Sequence, residues 1–186
     1  MKKYVLALFA AAIALASQAD PFEVNGKFEK INKKTGRPVS WNFNAWNNYK
    51  PHPKVEVITA EGESATMHIF DIQGKRGTEL YFAKPQPALP GDTITITAKI
   101  KGKGTVTFGI QLRDEKNNYL GYIKKGGSKK LTEEWQEVKV SFKVVNATKG
   151  PTKNIYITFG CNSGNEIFIK DLVAEHTAAA PAAAAE

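Results

Sequence analysis

A chain of 186 residues, 42% hydrophobic and 24% charged, with a formal charge of +8, is long enough for one domain with a proper core. Its single cysteine excludes an intrachain disulfide and any cysteine-based metal cluster, so packing, with at most the help of an ion, has to supply stability. The basic excess favours acidic partners, but no base-reading motif accompanies it and no specific nucleic-acid recognition is indicated.

Residues 1–19 read as a secretory signal peptide. Lys2 and Lys3 form the charged start, Tyr4 to Leu15 the apolar run, and Ser17-Gln18-Ala19 a small-residue cleavage site before Asp20. The run is short for a membrane span, so the mature chain is expected to be secreted (periplasmic, cell-surface or extracellular) with no membrane span left after cleavage. Cleavage removes two lysines and no acid, which lowers the formal charge by those two units from +8.

The mature chain then reads as a succession of short strands. Residues 22–29 suggest a first strand with a turn inside it, and residues 30–40, with Gly36 and Pro38, a loop. Trp41 to Tyr49 concentrates Trp41, Phe43, Trp46 and Tyr49 among four asparagines, and Pro51 and Pro53 rule out a helix there. Strands are expected over 55–59, 66–70 and 80–83. Between Pro90 and Arg113 two strictly alternating runs meet at Gly102-Lys103-Gly104. Ile94, Ile96, Ala98 and Ile100 share one face of the first run, and Val106, Phe108, Ile110 and Leu112 one face of the second. This pattern predicts a β-hairpin with one buried face, which needs a second sheet to cover it.

Further strands are expected over 119–123, 136–144, 154–159 and 166–174, and a solvated basic loop over 124–130. Cys161 continues the alternation of Ile155, Ile157 and Phe159, which makes it a small core residue rather than a catalytic thiol. In the last strand Ile167, Ile169 and Val173 are placed on one face, and Phe168 and Leu172 on the other. The fold class is therefore all-β, an antiparallel sandwich or jelly roll over residues 20–176, followed by an Ala/Pro-rich tail over 177–186.

Several pieces in order along the chain carry a family resemblance. They are Asn25-Gly26-Lys27-Phe28-Glu29, Gly36-Arg37-Pro38-Val39-Ser40-Trp41, Leu89-Pro90-Gly91-Asp92-Thr93, Leu131 to Val138, and Ile167 to Leu172. Together they resemble secreted carbohydrate-binding modules of the family 4, 9 and 22 type, which are jelly rolls of galactose-binding-like topology. The resemblance implies non-catalytic glycan binding and a structural calcium where an N-terminal Glu meets carboxylates of the last strand. Glu29 and Asp171 match those positions, but Lys170 stands where the family has a second acid, and an ammonium opposes a hard cation. Trp41 matches the family's tryptophan after the Gly-x-Pro turn, where it is at least partly structural.

Sugar binding calls for flat aromatic faces against ring C–H groups and for polar side chains against hydroxyls. Two sets of residues offer these. Trp46 and Tyr49, with Trp41, lie in the Asn-rich segment; Gln111 and Arg113 leave one sheet face together, with Tyr81, His68 and Tyr156 in the polar phase of their own strands. An ordinary solvated face is the plainer account of the second set. Trp135 reads as structural, and His68 alone as a satisfied surface histidine. The lysines of 124–130 would suit an acidic polysaccharide such as a uronate or sulfated polymer. There is no His-Glu-x-x-His, Gly-x-Ser-x-Gly or phosphate loop. The sequence thus points to a non-enzymatic, polysaccharide-binding protein. The alternative is a surface or matrix protein using the same sandwich for protein contacts.

Overall fold

The computed structural model describes residues 19–43, 53–72 and 78–180, in which thirteen strands and no helix occur. Residues 1–18 of the expected leader, Trp46, Tyr49 and residues 181–186 of the tail lie outside the described residues. The strands are β1 (Asp20–Pro21), β2 (Trp41–Phe43), β3 (Lys54–Ile58), β4 (Thr66–Phe70), β5 (Thr78–Phe82), β6 (Gln86–Pro87) and β7 (Thr93–Lys103). They continue with β8 (Thr105–Arg113), β9 (Tyr119–Ile123), β10 (Ser128–Lys130), β11 (Gln136–Lys143), β12 (Asn154–Cys161) and β13 (Glu166–Thr177). Sheet 1 has the order β11-β7-β13-β4-β3, with β1 against β13; sheet 2 has the order β10-β8-β12-β5-β2, with β9 against β8 and β6 against β12. The two antiparallel sheets enclose one apolar core and form an all-β sandwich.

Alternation between Pro90 and Arg113 foretells the buried faces correctly but not the pairing. Ile94, Ile96, Ala98 and Ile100, and Val106, Phe108, Ile110 and Leu112, are all buried. Yet β7 pairs with β11 and β13, and β8 with β9, β10 and β12, so the expected hairpin does not exist. The chain arches from sheet 1 into sheet 2 between β7 and β8. A period of two shows which side of a strand is apolar, whereas its edge partners are chosen by the whole sheet. Gly102 permits the arch: its φ is +132°, and a Cβ there would lie 2.0 Å from the Glu166 carbonyl oxygen.

Three other expectations change. Residues 22–29 are not a strand: after Phe22 N–H bonds the Ala174 carbonyl at 2.8 Å, the chain turns away through positive φ at Asn25 and Phe28. Phe28 plugs the core against Trp41, ring to ring at 6.2 Å. The end of the basic loop joins sheet 2 as β10, because its backbone finds partners on β8. In β13 a bulge between Lys170 and Val173 reverses the alternation, so Leu172 is buried with Ile167 and Ile169 while Val173 is exposed. Cys161 is fully buried as expected, and burial pushes its thiol up to about 12.

Asp92 fastens the start of β7 to the end of β13 at one end of sheet 1. Its carboxylate accepts from Leu89 N–H at 2.7 Å and Ala179 N–H at 2.9 Å, and pairs with His176 Nε2 at 2.8 Å. Burial alone would raise this carboxyl, but these donors together outweigh it and hold it below the ordinary value. Its stabilising contribution is thus complete above about pH 4 and is lost as pH falls through the lower folded value. Asp92→Ala is expected to lose about 3 kcal/mol in urea unfolding at neutral pH, with the gap to wild type narrowing at about pH 2.5. A gap unchanged by acid would remove the carboxylate as its source.

Candidate ligand-binding face

The outer face of sheet 2 carries residues of one strand parity, opposite to the core set. In register across the sheet, Asn42 of β2 lies beside Tyr81 of β5, which lies beside Thr158 of β12. One pleat along, Tyr156 of β12 lies beside Gln111 of β8, which lies beside Tyr122 of β9. The Tyr81 and Tyr156 rings are parallel to within 7° with centroids 5.6 Å apart, a stacked pair of half-exposed phenols. The Arg113 guanidinium lies 4.4 Å from the Tyr156 centroid and 5.6 Å from that of Tyr119.

A polar chain runs beside the rings. Gln111 Nε2 donates to Glu79 Oε1 at 2.8 Å, Arg113 donates one terminal nitrogen to Gln111 Oε1, and the other bonds the Asn117 carbonyl at 3.0 Å. Gln111 is 1% exposed, so its amide is held rigidly, while Arg113 Nε is buried without a partner. Tyr122 lies over Gly109, where a Cβ would come within 2.6 Å of its hydroxyl, and Thr158 Oγ1 donates to that hydroxyl at 2.9 Å. Burial, reinforced by the nearby Glu79 charge, pushes the Tyr122 phenol up to about 12 and keeps it neutral. Lys124 and Lys149 add cations at the rim, 5.9 Å from the Tyr122 centroid and 5.7 Å from that of Tyr119. Chemically, the face offers flat apolar rings, fixed amide and carboxylate groups and a positive edge, a set suited to a polyhydroxylated ligand.

Of the residues chosen from sequence, Tyr81, Gln111 and Arg113 come together with Tyr156. His68 does not join them: β4 belongs to sheet 1, where both His68 ring nitrogens lie 2.9 Å from carboxylates of Glu56 and Glu166. Its ring stacks between Phe70 and Phe168, at 4.5 and 4.1 Å. Trp41 is 1% exposed and stacks on Phe159 at 4.8 Å, so it presents no ring face to solvent and is a core residue. Trp135, expected to be structural, lies half-buried on the outer side of sheet 1. Glu79, Tyr119 and Tyr122 were not picked out by sequence. Glu79 shares the parity of Tyr81 but falls one residue before the expected start of its strand. Tyr119 and Tyr122 are three apart, so alternation cannot place both on one face; the irregular register at Leu112/Arg113 does so.

The implied calcium site fits poorly. Asp171, at φ +51° in the bulge, pairs with Lys99 at 3.0 Å, and burial, which would raise its carboxyl, is outweighed by bonds from Ser64 and Lys99 that lower it. Glu29 lines a separate groove with Lys27, Lys30 and Lys84. Among the described residues no group of three His, Cys, Asp or Glu converges as a cation would need.

No family model and no curated protein matches the chain. Solved structures do match in fold. The CBM22-1 xylan-binding domain of Paenibacillus barcinonensis Xyn10C is 12% identical with a TM-score of 0.53, covering 82% of this chain and 92% of its own. A CBM4 structure is 18% identical at a TM-score of 0.52, covering 81% of this chain and 97% of its own. A cyclase from Fischerella sp. is 12% identical at a TM-score of 0.61, covering 87% of this chain and 98% of its own. The chain therefore has a jelly-roll fold like that of carbohydrate-binding modules, a fold that cyclases also use. Among the described residues, no helix is long and apolar enough to cross a membrane.

Proposed function

We propose that this is a secreted, non-catalytic protein that binds polysaccharide on the outer face of sheet 2. The observation that carries the reading is the parallel Tyr81–Tyr156 pair beside the fixed Gln111–Glu79–Arg113 chain. The phenol faces would cover C–H surfaces of successive sugar rings, and the amide and carboxylate would sort their hydroxyls. The xylan-binding domain with the same fold supports this reading at the level of ligand class.

The test is retention of the mature chain, from Asp20 onward, on neutral and acidic polysaccharides at low and high salt. Tyr156→Ala is expected to weaken binding about tenfold or more while leaving the unfolding midpoint within a few degrees of wild type, since Tyr156 lies outside the core. Salt-resistant binding that is indifferent to Tyr156 and Tyr81 would remove this face as the site. Retention only by acidic polymers, abolished by salt, would remove the stacked phenols as the site in favour of a basic part of the surface.

A further inference from the structure

The outer face of sheet 1 carries a second aromatic cluster, on strands other than those of sheet 2. A groove of about 240 Å³ is lined by Ile58, Ala60, Glu63, Thr66, Lys101, Trp135 and Phe168. Trp135 immediately precedes β11, and the register Gln136↔Ile100 brings it beside Lys101; Phe168 of β13 lies directly across from Lys101 on the other side. Lys101 Nζ is therefore 5.0 Å from the Trp135 ring centroid and 5.4 Å from that of Phe168.

The two nearby ammonium groups differ in one respect. Lys170 Nζ, 4.5 Å from the Trp135 centroid, is neutralised by Glu63 Oε2 at 3.0 Å. Lys101 has only the two rings as partners and no carboxylate within ion-pair distance among the described residues. A half-buried ammonium supported by aromatic faces keeps its positive charge available to an incoming anion. The walls are apolar at Ile58, Trp135 and Phe168, and polar at the Thr66 hydroxyl and the Glu63 carboxylate. A ligand matching all three features has an apolar ring face, hydroxyl groups and one negative charge.

We propose that this groove binds a carboxylate-bearing sugar unit, with its ring against Trp135 and Phe168 and its carboxylate on Lys101. A hexuronate meets these requirements, whereas an aromatic acid leaves Glu63 and Thr66 without hydroxyl partners. A groove of this volume takes one sugar unit of a chain rather than a folded partner.

The test titrates the mature protein with trigalacturonate and, separately, with its methyl ester, by calorimetry and by tryptophan fluorescence. Wild type is expected to bind the acid saturably, whereas Lys101→Gln and the ester each lower affinity about tenfold. Trp135→Phe should abolish the fluorescence change while calorimetry still detects binding. Equal affinity for acid and ester, or an unchanged Lys101→Gln, overturns the proposal, as does a lack of saturable binding by wild type. Binding lost in Tyr156→Ala but kept in Lys101→Gln overturns it as well, by placing the uronate on sheet 2. Failure here leaves the neutral-glycan test of Tyr156 untouched, because the two faces share no residue.

Discussion

Trp41→Ala is expected to lower the unfolding free energy by about 3–5 kcal/mol, the ordinary range for removing a buried aromatic. The ring lies at the meeting of three others: stacked on Phe159 at 4.8 Å, tilted against Phe82 at 5.4 Å and edge-on to Phe28 at 6.2 Å. No adjacent side chain can move far enough to fill the void, because Phe28, Phe82 and Phe159 are themselves almost wholly buried. Trp41→Phe should lose much less, since it keeps an aromatic body and deletes an indole nitrogen that is buried without a partner. Urea unfolding of both variants checks this, with glycan binding of the folded protein as the second readout. Wild-type stability in Trp41→Ala, with binding abolished, would make Trp41 a ligand residue after all.

Gly102→Val should be comparably severe, at about 2–6 kcal/mol from backbone strain and steric displacement together. The new Cβ would sit 2.0 Å from the Glu166 carbonyl oxygen, which is backbone and cannot swing aside, and the position has a φ of +132°. Either β13 leaves its register with β7 at Ile167↔Gly102 or the arch into sheet 2 changes course. Gly62→Ala serves as the control: its φ is +76° but nothing lies within 4 Å, so only the left-handed backbone term of about 1–2 kcal/mol is expected. Thermal unfolding of the two variants separates collision from conformation. Equal losses would mean that the contact with Glu166 is not a constraint.

How far such features were legible in sequence depends on the kind of information each requires. The alternating runs of β7, β8, β11 and β12 disclose their buried sides because parity is a local property of the chain. The arch between β7 and β8 is not local: Gly102-Lys103-Gly104 suits a tight hairpin turn as readily as a crossing, and only β13, far along the chain, decides between them. Tyr81, Tyr156, Gln111 and Arg113 are all visible from parity, and register makes their strands neighbours. Tyr119, Tyr122 and the exposed side of Val173 were hidden by irregularities in pairing, which shift phase without an unambiguous sequence mark. Trp41 was assigned to both roles by its aromatic context, and burial settles which one applies. His68 had the correct polar phase but the wrong sheet, since phase says nothing about which layer a strand enters.

The arch also governs the order in which the molecule can assemble. With no hairpin between β7 and β8, the most alternating part of the chain gains little from closing on itself. Strand β7 obtains its two edges from β11 and β13, both made later, and β13 is also the strand that joins β7 to β4. During synthesis, Ile94, Ile96 and Ile100 can therefore gain the β11 edge first but lack the β13 edge until residues 166–177 have emerged. Pairings this distant in sequence fold slowly, because loop closure precedes the contacts that reward it. Sheet 1 is completed only when β13 is available to join β7 to β4.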